Sequence, residues 1–367
     1  MSVPRRLRVA ILYGGQSAEH EISILSARNV LAALDAARFE PLLIGIDKSG
    51  RWHGQDPARL LESARDPRLV HIEPGPPLSL DRLAAPSAET PAAEHIDVVF
   101  PVLHGTLGED GAMQGLLEVM GIPYVGAGVL GSAIGMDKDV SKRLLRAAQI
   151  PVTDFVTLRE QSFARDPAGE CARLARLGLP VFAKPANAGS SVGVRKVSDA
   201  SRLEAAIRHA FQFDSKVLVE AAVTAREIEL AVLGGEPARV SVAGEIVIQH
   251  PDGFYSYEAK YLDENGARLE LPARLAPEVL ARAQRIAVRA FEALECEGMA
   301  RVDLFLTHDG GLLVNEINTI PGFTAISMYP KLWELSGLPP TRLITTLIEL
   351  ALDRARRRAA LRRSLSP

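Results

Sequence analysis

Only two cysteines, Cys171 and Cys296, occur in 367 residues, so no disulfide framework is expected. Long apolar runs are scarce as well. No stretch approaches the ~20 apolar residues that a membrane span needs. The start, MSVPRRLRVAILYGG, has a basic flank, but its apolar run over residues 9–13 is too short for a signal peptide and ends in two glycines. An excess of one charge is also lacking: 42 basic against 45 acidic residues leave a net charge of −3, which argues against nucleic acid as the main partner. The expectation is a cytoplasmic protein with no membrane and no nucleic-acid partner. Two phosphate signatures are missing too. GGQSAE, after the first apolar run, does not have the G-x-G-x-x-G spacing, and no glycine-rich loop is followed by the lysine of a Walker A motif. What remains is an ordinary globular composition, 47% hydrophobic and 24% charged. The chain is too long for a single compact core, so two or three domains are expected.

The most informative stretch is 299–324, MARVDLFLTHDGGLLVNEINTIPGFT. Residues 301–307 and 312–318 alternate polar and apolar, and His308-Asp309-Gly310-Gly311 supplies turn residues between them. A two-residue turn at Asp309-Gly310 would pair 308 with 311, and a four-residue loop gives the same register. That register puts Asp303 across from Glu316 and Arg301 across from Asn318, with Asp303, Glu316 and Asn318 on one face. Facing carboxylates repel across a ladder, so a positive charge is expected between them. Three oxygen ligands at this spacing suit a hard cation such as Mg²⁺, and Arg301 suits anionic oxygens. The plain alternative is a polar, exposed hairpin face.

Along the chain, residues 8–13 form an apolar strand, Gly14-Gly15 turns it into a helix opening near Ser17, and residues 41–46 form another strand, the rhythm of a parallel sheet. Glu19 falls in the first helical turn, where the helix dipole alone favours a carboxylate. Residues 54–94 read as connecting structure, partly mobile. A buried strand over 96–103 then delivers His104 and a glycine-rich turn, where open α/β sheets place ligands; a loop histidine without a role fits equally. Glu109-Asp110 read as the start of the next helix. One helix is expected to carry Lys138 and Lys142, and a lysine there is usually solvated. Lys184 leaves a strand beside Gly189-Ser190-Ser191-Val192-Gly193, which resembles a phosphate cradle in its physics, although Ser/Gly composition also makes plain surface turns. Glu220 and Glu227 end and begin apolar strands. Residues 250–272, rich in tyrosine, read as a lid.

In order, GGQSAEHEIS, LHGTLGEDG, KP…GSSVG, the acids at 220 and 227, YEAKY and RVD…NEINTIPGFT resemble the D-alanine–D-alanine ligases of the ATP-grasp superfamily, over roughly residues 8–345. The resemblance implies an α/β chain of three subdomains: a Rossmann-like domain over 1–125 binding the first D-alanine, a central ATP-grasp lobe over 126–224, and a C-terminal lobe over 225–367 with the lid, metal site and second D-alanine site. It implies ATP-dependent synthesis of D-alanyl-D-alanine through a D-alanyl phosphate, for peptidoglycan precursors, by a homodimer. Lys138, Lys184, Ser190 and Ser191 would meet ATP phosphates; Glu220, Glu227, Phe305 and Lys260 would complete the ATP site. Asp303, Glu316 and Asn318 would hold two Mg²⁺ or Mn²⁺ ions. Glu19 would take the first D-alanine's ammonium with His104 beside it, and Ser327 and Met328 the second's carboxylate. Arg301 and the Gly322 amide would stabilise the oxyanion, and Tyr261 would close the lid against Ser190. One departure is visible: the family often has a lysine after the acid at 220, whereas Ala221-Ala222-Val223 follow here. Adenine recognition would then fall to main-chain and apolar contacts. A D-alanine–D-lactate ligase, another carboxylate–amine ligase and a non-catalytic nucleotide sensor are the rival readings.

Overall fold

The computed structural model describes residues 5–63, 66–77, 95–249 and 266–362. Three sheets carry the described residues. The first is built from β1 (Leu7–Gly14), β2 (Phe39–Ile46), β3 (Trp52–Gln55) and β4 (Val98–Pro101), in the order β3-β2-β1-β4. β1 runs parallel to both β2 and β4, and its apolar residues Val9–Tyr13 are buried. A fully apolar strand suits a parallel sheet covered on both faces. Helix α1 (His20–Ala33) packs on it. The turn between them needs Gly14: its φ is +90°, and a Cβ there would lie 2.3 Å from the Ile46 carbonyl oxygen. α1 begins later than its sequence suggests, so Glu19 is the N-cap residue and not part of the first turn. The expected connector over 54–94 is more structured at its start than its weak periodicity implied. β3 pairs with β2, and α2 (Pro57–Glu62) is capped by the Asp56 side chain.

The expected single helix around Lys138 is two helices. After α3 (Ala112–Val119), α4 (Val129–Met136) stops at Asp137, whose extended backbone and carboxylate cap start α5 (Lys138–Ala147). An aspartate both interrupts the helical run and satisfies the orphan N–H groups of the next one. The second sheet follows, from β5 (Phe155–Arg159), β6 (Val181–Pro185), β7 (Arg195–Val197) and β8 (Lys216–Ala221), antiparallel in the order β5-β8-β6-β7.

The third sheet, order β11-β10-β9-β12-β13, comprises β9 (Ala225–Leu233), β10 (Arg239–Ile248), β11 (Ala267–Glu270), β12 (Met299–Thr307) and β13 (Leu312–Asn318). One apolar face of β12 and β13 buries Val302, Leu304, Val314 and Ile317 in a core with the helix Pro277–Ala293. The expected pairing of Asp303 with Glu316 and Arg301 with Asn318 is present. Its expected origin is not. Thr307, not His308, pairs with Gly311 (N···O 2.9 Å), around a three-residue tip with Gly310 at φ +82°. Leu304 therefore faces Val314, one residue out of step, and a bulge at Asn315 restores the register before Glu316. The loop is one residue longer than the expected turn and β13 carries one extra residue, and the two offsets cancel at Asp303 and Glu316.

Candidate active site

Two cavities of about 490 and 450 Å³ meet between the sheets, and Lys138, Ala188, Ser190, Glu229, Arg301 and Glu316 line both. The first also takes in Glu19, His104, Glu109, Asn318, Gly322, Ser327 and Met328. The second takes in Lys184, Ser191, Glu220, Glu227, Asp303 and Phe305, with Ala221, Ala222 and Val223. Every candidate side chain named from the sequence lines one or the other, except Lys260 and Tyr261, which lie outside the described residues.

At the shared wall, Lys138 Nζ donates to the Ala188 carbonyl (2.8 Å) and lies 3.4 Å from Glu316 Oε2. Arg301 donates from Nε and Nη2 to both oxygens of Asp303 (2.7 and 2.6 Å) and pairs with Glu229 (3.0 Å). Burial alone would lower the arginine's pKa, but Asp303 and Glu229 outweigh it and hold the guanidinium charged. The positive charge expected near the facing carboxylates is thus supplied by two side chains, Arg301 for Asp303 and Lys138 for Glu316. Among the described residues, no three His, Cys, Asp or Glu side chains gather as a metal cluster; the set on the hairpin is two carboxylates and an amide. Asn318 Oδ1 is buried and finds no hydrogen-bond partner among the described residues. A buried amide oxygen beside two carboxylates suits a hard oxygen-seeking cation.

In the second cavity Lys184 Nζ lies 2.6 Å from Glu220 Oε2, and Lys142 Nζ lies 3.0 Å from Oε1. Glu220 is 2% exposed. Burial raises a carboxyl's pKa, but the two ammonium groups prevail and bring this one from its ordinary 4.5 to about 2. Lys142 responds the other way: burial pulls its pKa down against the attraction of Glu220. Lys184 stays raised despite burial, with Glu220, Glu316 and Glu227 in reach. Glu220 therefore sits as a buried counter-ion beneath the lysines. Ser190 and Ser191 both adopt left-handed φ, 47° and 59°, which non-glycine residues rarely do, so the loop is more specialised than a plain surface turn.

The first cavity joins distant segments. Ser190 Oγ donates to Glu19 Oε1. The loop comes this close because residue 189 is glycine: a Cβ there would stand 2.5 Å from Glu19 Oε2. His104 is buried, which lowers its pKa although Glu19 raises it. Its Nδ1 lies 3.1 Å from the Ile320 carbonyl and Nε2 3.2 Å from Ser26 Oγ. The carbonyl can only accept, so Nδ1 carries the proton and the Ser26 hydroxyl donates to Nε2. Ser26 Oγ in turn accepts from Phe323 N (3.1 Å). The histidine thus braces the loop that carries Gly322. Ser327 caps the helix Met328–Leu335 by position, and its Oγ accepts from Thr324 N (3.0 Å). A helix N-terminus offers N–H groups to an anion.

Three residues escaped the sequence reading. Lys142, taken as solvated, is 1% exposed because its partner, Glu220, comes from a strand 78 residues on. Glu229 holds Arg301; alternation with Glu227 along β9 was the available signal. Glu109, taken as a helix starter, is 6% exposed and in the cavity. Its Oε1 accepts from Gly105 N (3.0 Å), and Oε2 has no hydrogen-bond partner among the described residues. Burial, then the charge of Glu19, pushes its carboxyl up to about 8.

Comparison with known proteins agrees with this geometry. Family models described as D-ala D-ala ligase N-terminus and C-terminus match residues 8–127 and 144–349. D-alanine–D-alanine ligase A of Chromobacterium violaceum is 54% identical over 366 residues, covering 98% of this chain and 99% of that protein. The enzyme of that name in Escherichia coli K12 is 48% identical, covering 95% and 96%. Among solved structures, the D-alanine–D-alanine ligase of Coxiella burnetii superposes with a TM-score of 0.82 at 41% identity, covering 96% of each chain. A D-Ala:D-Ser ligase from Enterococcus faecalis gives 0.78 at 34%, covering 95% and 100%. The chain belongs to the D-alanine–D-alanine ligase family, with its ATP-grasp architecture.

Proposed function

We propose that this protein joins two D-alanines to D-alanyl-D-alanine with conversion of ATP to ADP and phosphate, supplying a peptidoglycan precursor. The observation that carries the reading is the shared wall. Lys138, Arg301 and Glu316 stand between a cavity with ammonium- and carboxylate-binding groups and one floored by a buried Lys184–Glu220–Lys142 cluster. Glu19 holds the first D-alanine's ammonium. Its carboxylate reaches the wall, where an oxygen attacks the γ-phosphorus of ATP, and the bond to the β-phosphate oxygen breaks. Lys138, Lys184 and the 189–193 loop neutralise and position the phosphates, which is most of what this transfer requires. Asp303, Glu316 and Asn318 would hold the divalent cations, Mg²⁺ or Mn²⁺, which supply charge neutralisation on the phosphates.

The second D-alanine's carboxylate lies against Ser327 and the N–H of Met328. Its amine, having lost a proton, attacks the acyl carbonyl. Arg301 and the Gly322 N–H stabilise the oxyanion, and phosphate leaves. Of the lid expected over 250–272, residues 267–270 instead form β11, paired with β10; the part that carries Lys260 and Tyr261 serves as the lid that keeps water from the acyl phosphate. The division at 125 and 224, a homodimer and a cytoplasmic setting belong to the same reading; no described helix is long and apolar enough to cross a membrane. The intact Arg301 and metal set favour an enzyme over a nucleotide sensor. A mixed assay with ATP, D-alanine and D-lactate, read by mass spectrometry, tests it. Dipeptide is expected to dominate at neutral pH; predominant D-alanyl-D-lactate would overturn it.

A further inference from the structure

Two buried lysines, Lys142 and Lys216, fasten α5 to β8 by ion pairs. One, Lys142 with Glu220, floors the second cavity. The other lies outside both cavities. Lys216, 6% exposed at the start of β8, directs its ammonium to Asp137, with Asp139 at 3.5 Å. Asp137 is the cap of α5, its Oδ1 accepting from Asp139 N (3.1 Å) and Val140 N (3.0 Å). Asp139 is also held by Thr157 Oγ1 (2.8 Å) and Arg143 Nε (3.1 Å).

The main chain of Lys216 serves the phosphate loop. Its carbonyl accepts from Ala186 N (2.9 Å). Its N–H donates to Asp214 Oδ1 (3.1 Å), while Asp214 Oδ2 accepts from Asn187 N (2.8 Å). The loop root then grips Lys138: Lys138 N donates to the Ala186 carbonyl (3.1 Å) and Lys138 Nζ to that of Ala188 (2.8 Å). A closed circuit runs from Asp137 through Lys216 and Asp214 to residues 186–188 and back to Lys138. Asp137, Asp214 and Lys216 line neither cavity.

We propose that Asp137, Lys216 and Asp214 are positioning residues for the nucleotide. They fix the start of α5 and the root of the 186–193 loop against one another, and so set where the Lys138 ammonium stands. Apolar replacement of a largely desolvated ion pair is often neutral for stability. A charged circuit here is explained by its geometry: it holds two backbone segments, and a hydrophobic contact would not specify their distance. Phosphoryl transfer is sensitive to such placement. The inference rests on the reading that Lys138 and the loop meet the phosphates of ATP.

The test compares Lys216→Met and Asp137→Asn with wild type, measuring KM for ATP, KM for D-alanine, kcat and the thermal midpoint. Asparagine keeps the cap of α5 and removes only the charge, so it carries the test even where Lys216→Met does not fold. Both variants are expected to raise KM for ATP about tenfold or more, a misplacement effect, with KM for D-alanine within about twofold. The double variant is expected to be no worse than the poorer single one, because one circuit is broken once. An unchanged KM for ATP overturns the inference, as do two KM values that rise together in step with a falling midpoint. A wild type whose rate does not saturate with ATP removes the functional reading and this inference with it. A saturable wild type with unaffected variants removes only the inference.

Discussion

Arg301 grips Asp303, two residues along the same strand, through hydrogen bonds of 2.7 and 2.6 Å, while Glu316 across the ladder turns to Lys138 at 3.4 Å. Each carboxylate of the hairpin already has its own cation, so metal ions and triphosphate must compete with these pairs. Chelation of divalent cations is expected to abolish phosphate release. Glu316→Gln is expected to raise the Mg²⁺ needed for half activity about tenfold and lower kcat by about 10²–10³, the scale of removing one transition-state contact. Titrating Mg²⁺ against initial rate checks both; an unchanged Mg²⁺ dependence would exclude Glu316 as a ligand.

Glu220 gives a pH-dependent prediction. Its carboxyl falls from 4.5 to about 2 in the folded protein, so the folded state binds the proton less readily than the unfolded one. The stabilisation is fully present above about pH 4.5 and is lost as pH falls toward 2. Glu220→Gln leaves two ammonium groups without their buried counter-ion and is expected to cost about 3–5 kcal/mol near neutrality. Its stability should also change less than that of wild type between pH 4.5 and 2. Urea unfolding at several pH values measures both.

Gly189→Ala tests the contact between loop and substrate pocket. The added methyl would stand 2.5 Å from Glu19 Oε2, and Glu19 is buried and engaged by Ser190, so it must leave that bond. The expected outcome is a loss of about 10–100-fold in kcat/KM for D-alanine, as for a misplaced binding group. KM for ATP should move far less. Steady-state kinetics with each substrate varied separates the two.

Much of this site was legible because it is written locally. The alternation over residues 301–307 and 312–318 put Asp303, Glu316 and Asn318 on one face, the motif KP…GSSVG supplied Lys184 and Ser190, and Lys138 came only through the family resemblance. The hairpin tip was misread because a dipeptide that favours two-residue turns also fits the three-residue loop with Gly310 left-handed, and the bulge at Asn315 has no local signature. Lys142, Glu109 and Glu229 were passed over for a different reason. Their burial depends on segments distant in sequence, Glu220 for Lys142, Arg301 for Glu229 and Glu19 for Glu109, and a lysine or glutamate on an amphipathic stretch looks solvated until those segments are placed. The break at Asp137 was hidden likewise, since a capping aspartate inside a helical pattern matches a surface residue.

The most direct measurement is phosphate release at saturating ATP and Mg²⁺, with and without D-alanine, alongside quantified dipeptide. The account predicts release that depends on D-alanine, with one phosphate for each D-alanyl-D-alanine formed. Phosphate release that ignores D-alanine, or its absence when D-alanine is present, would contradict it.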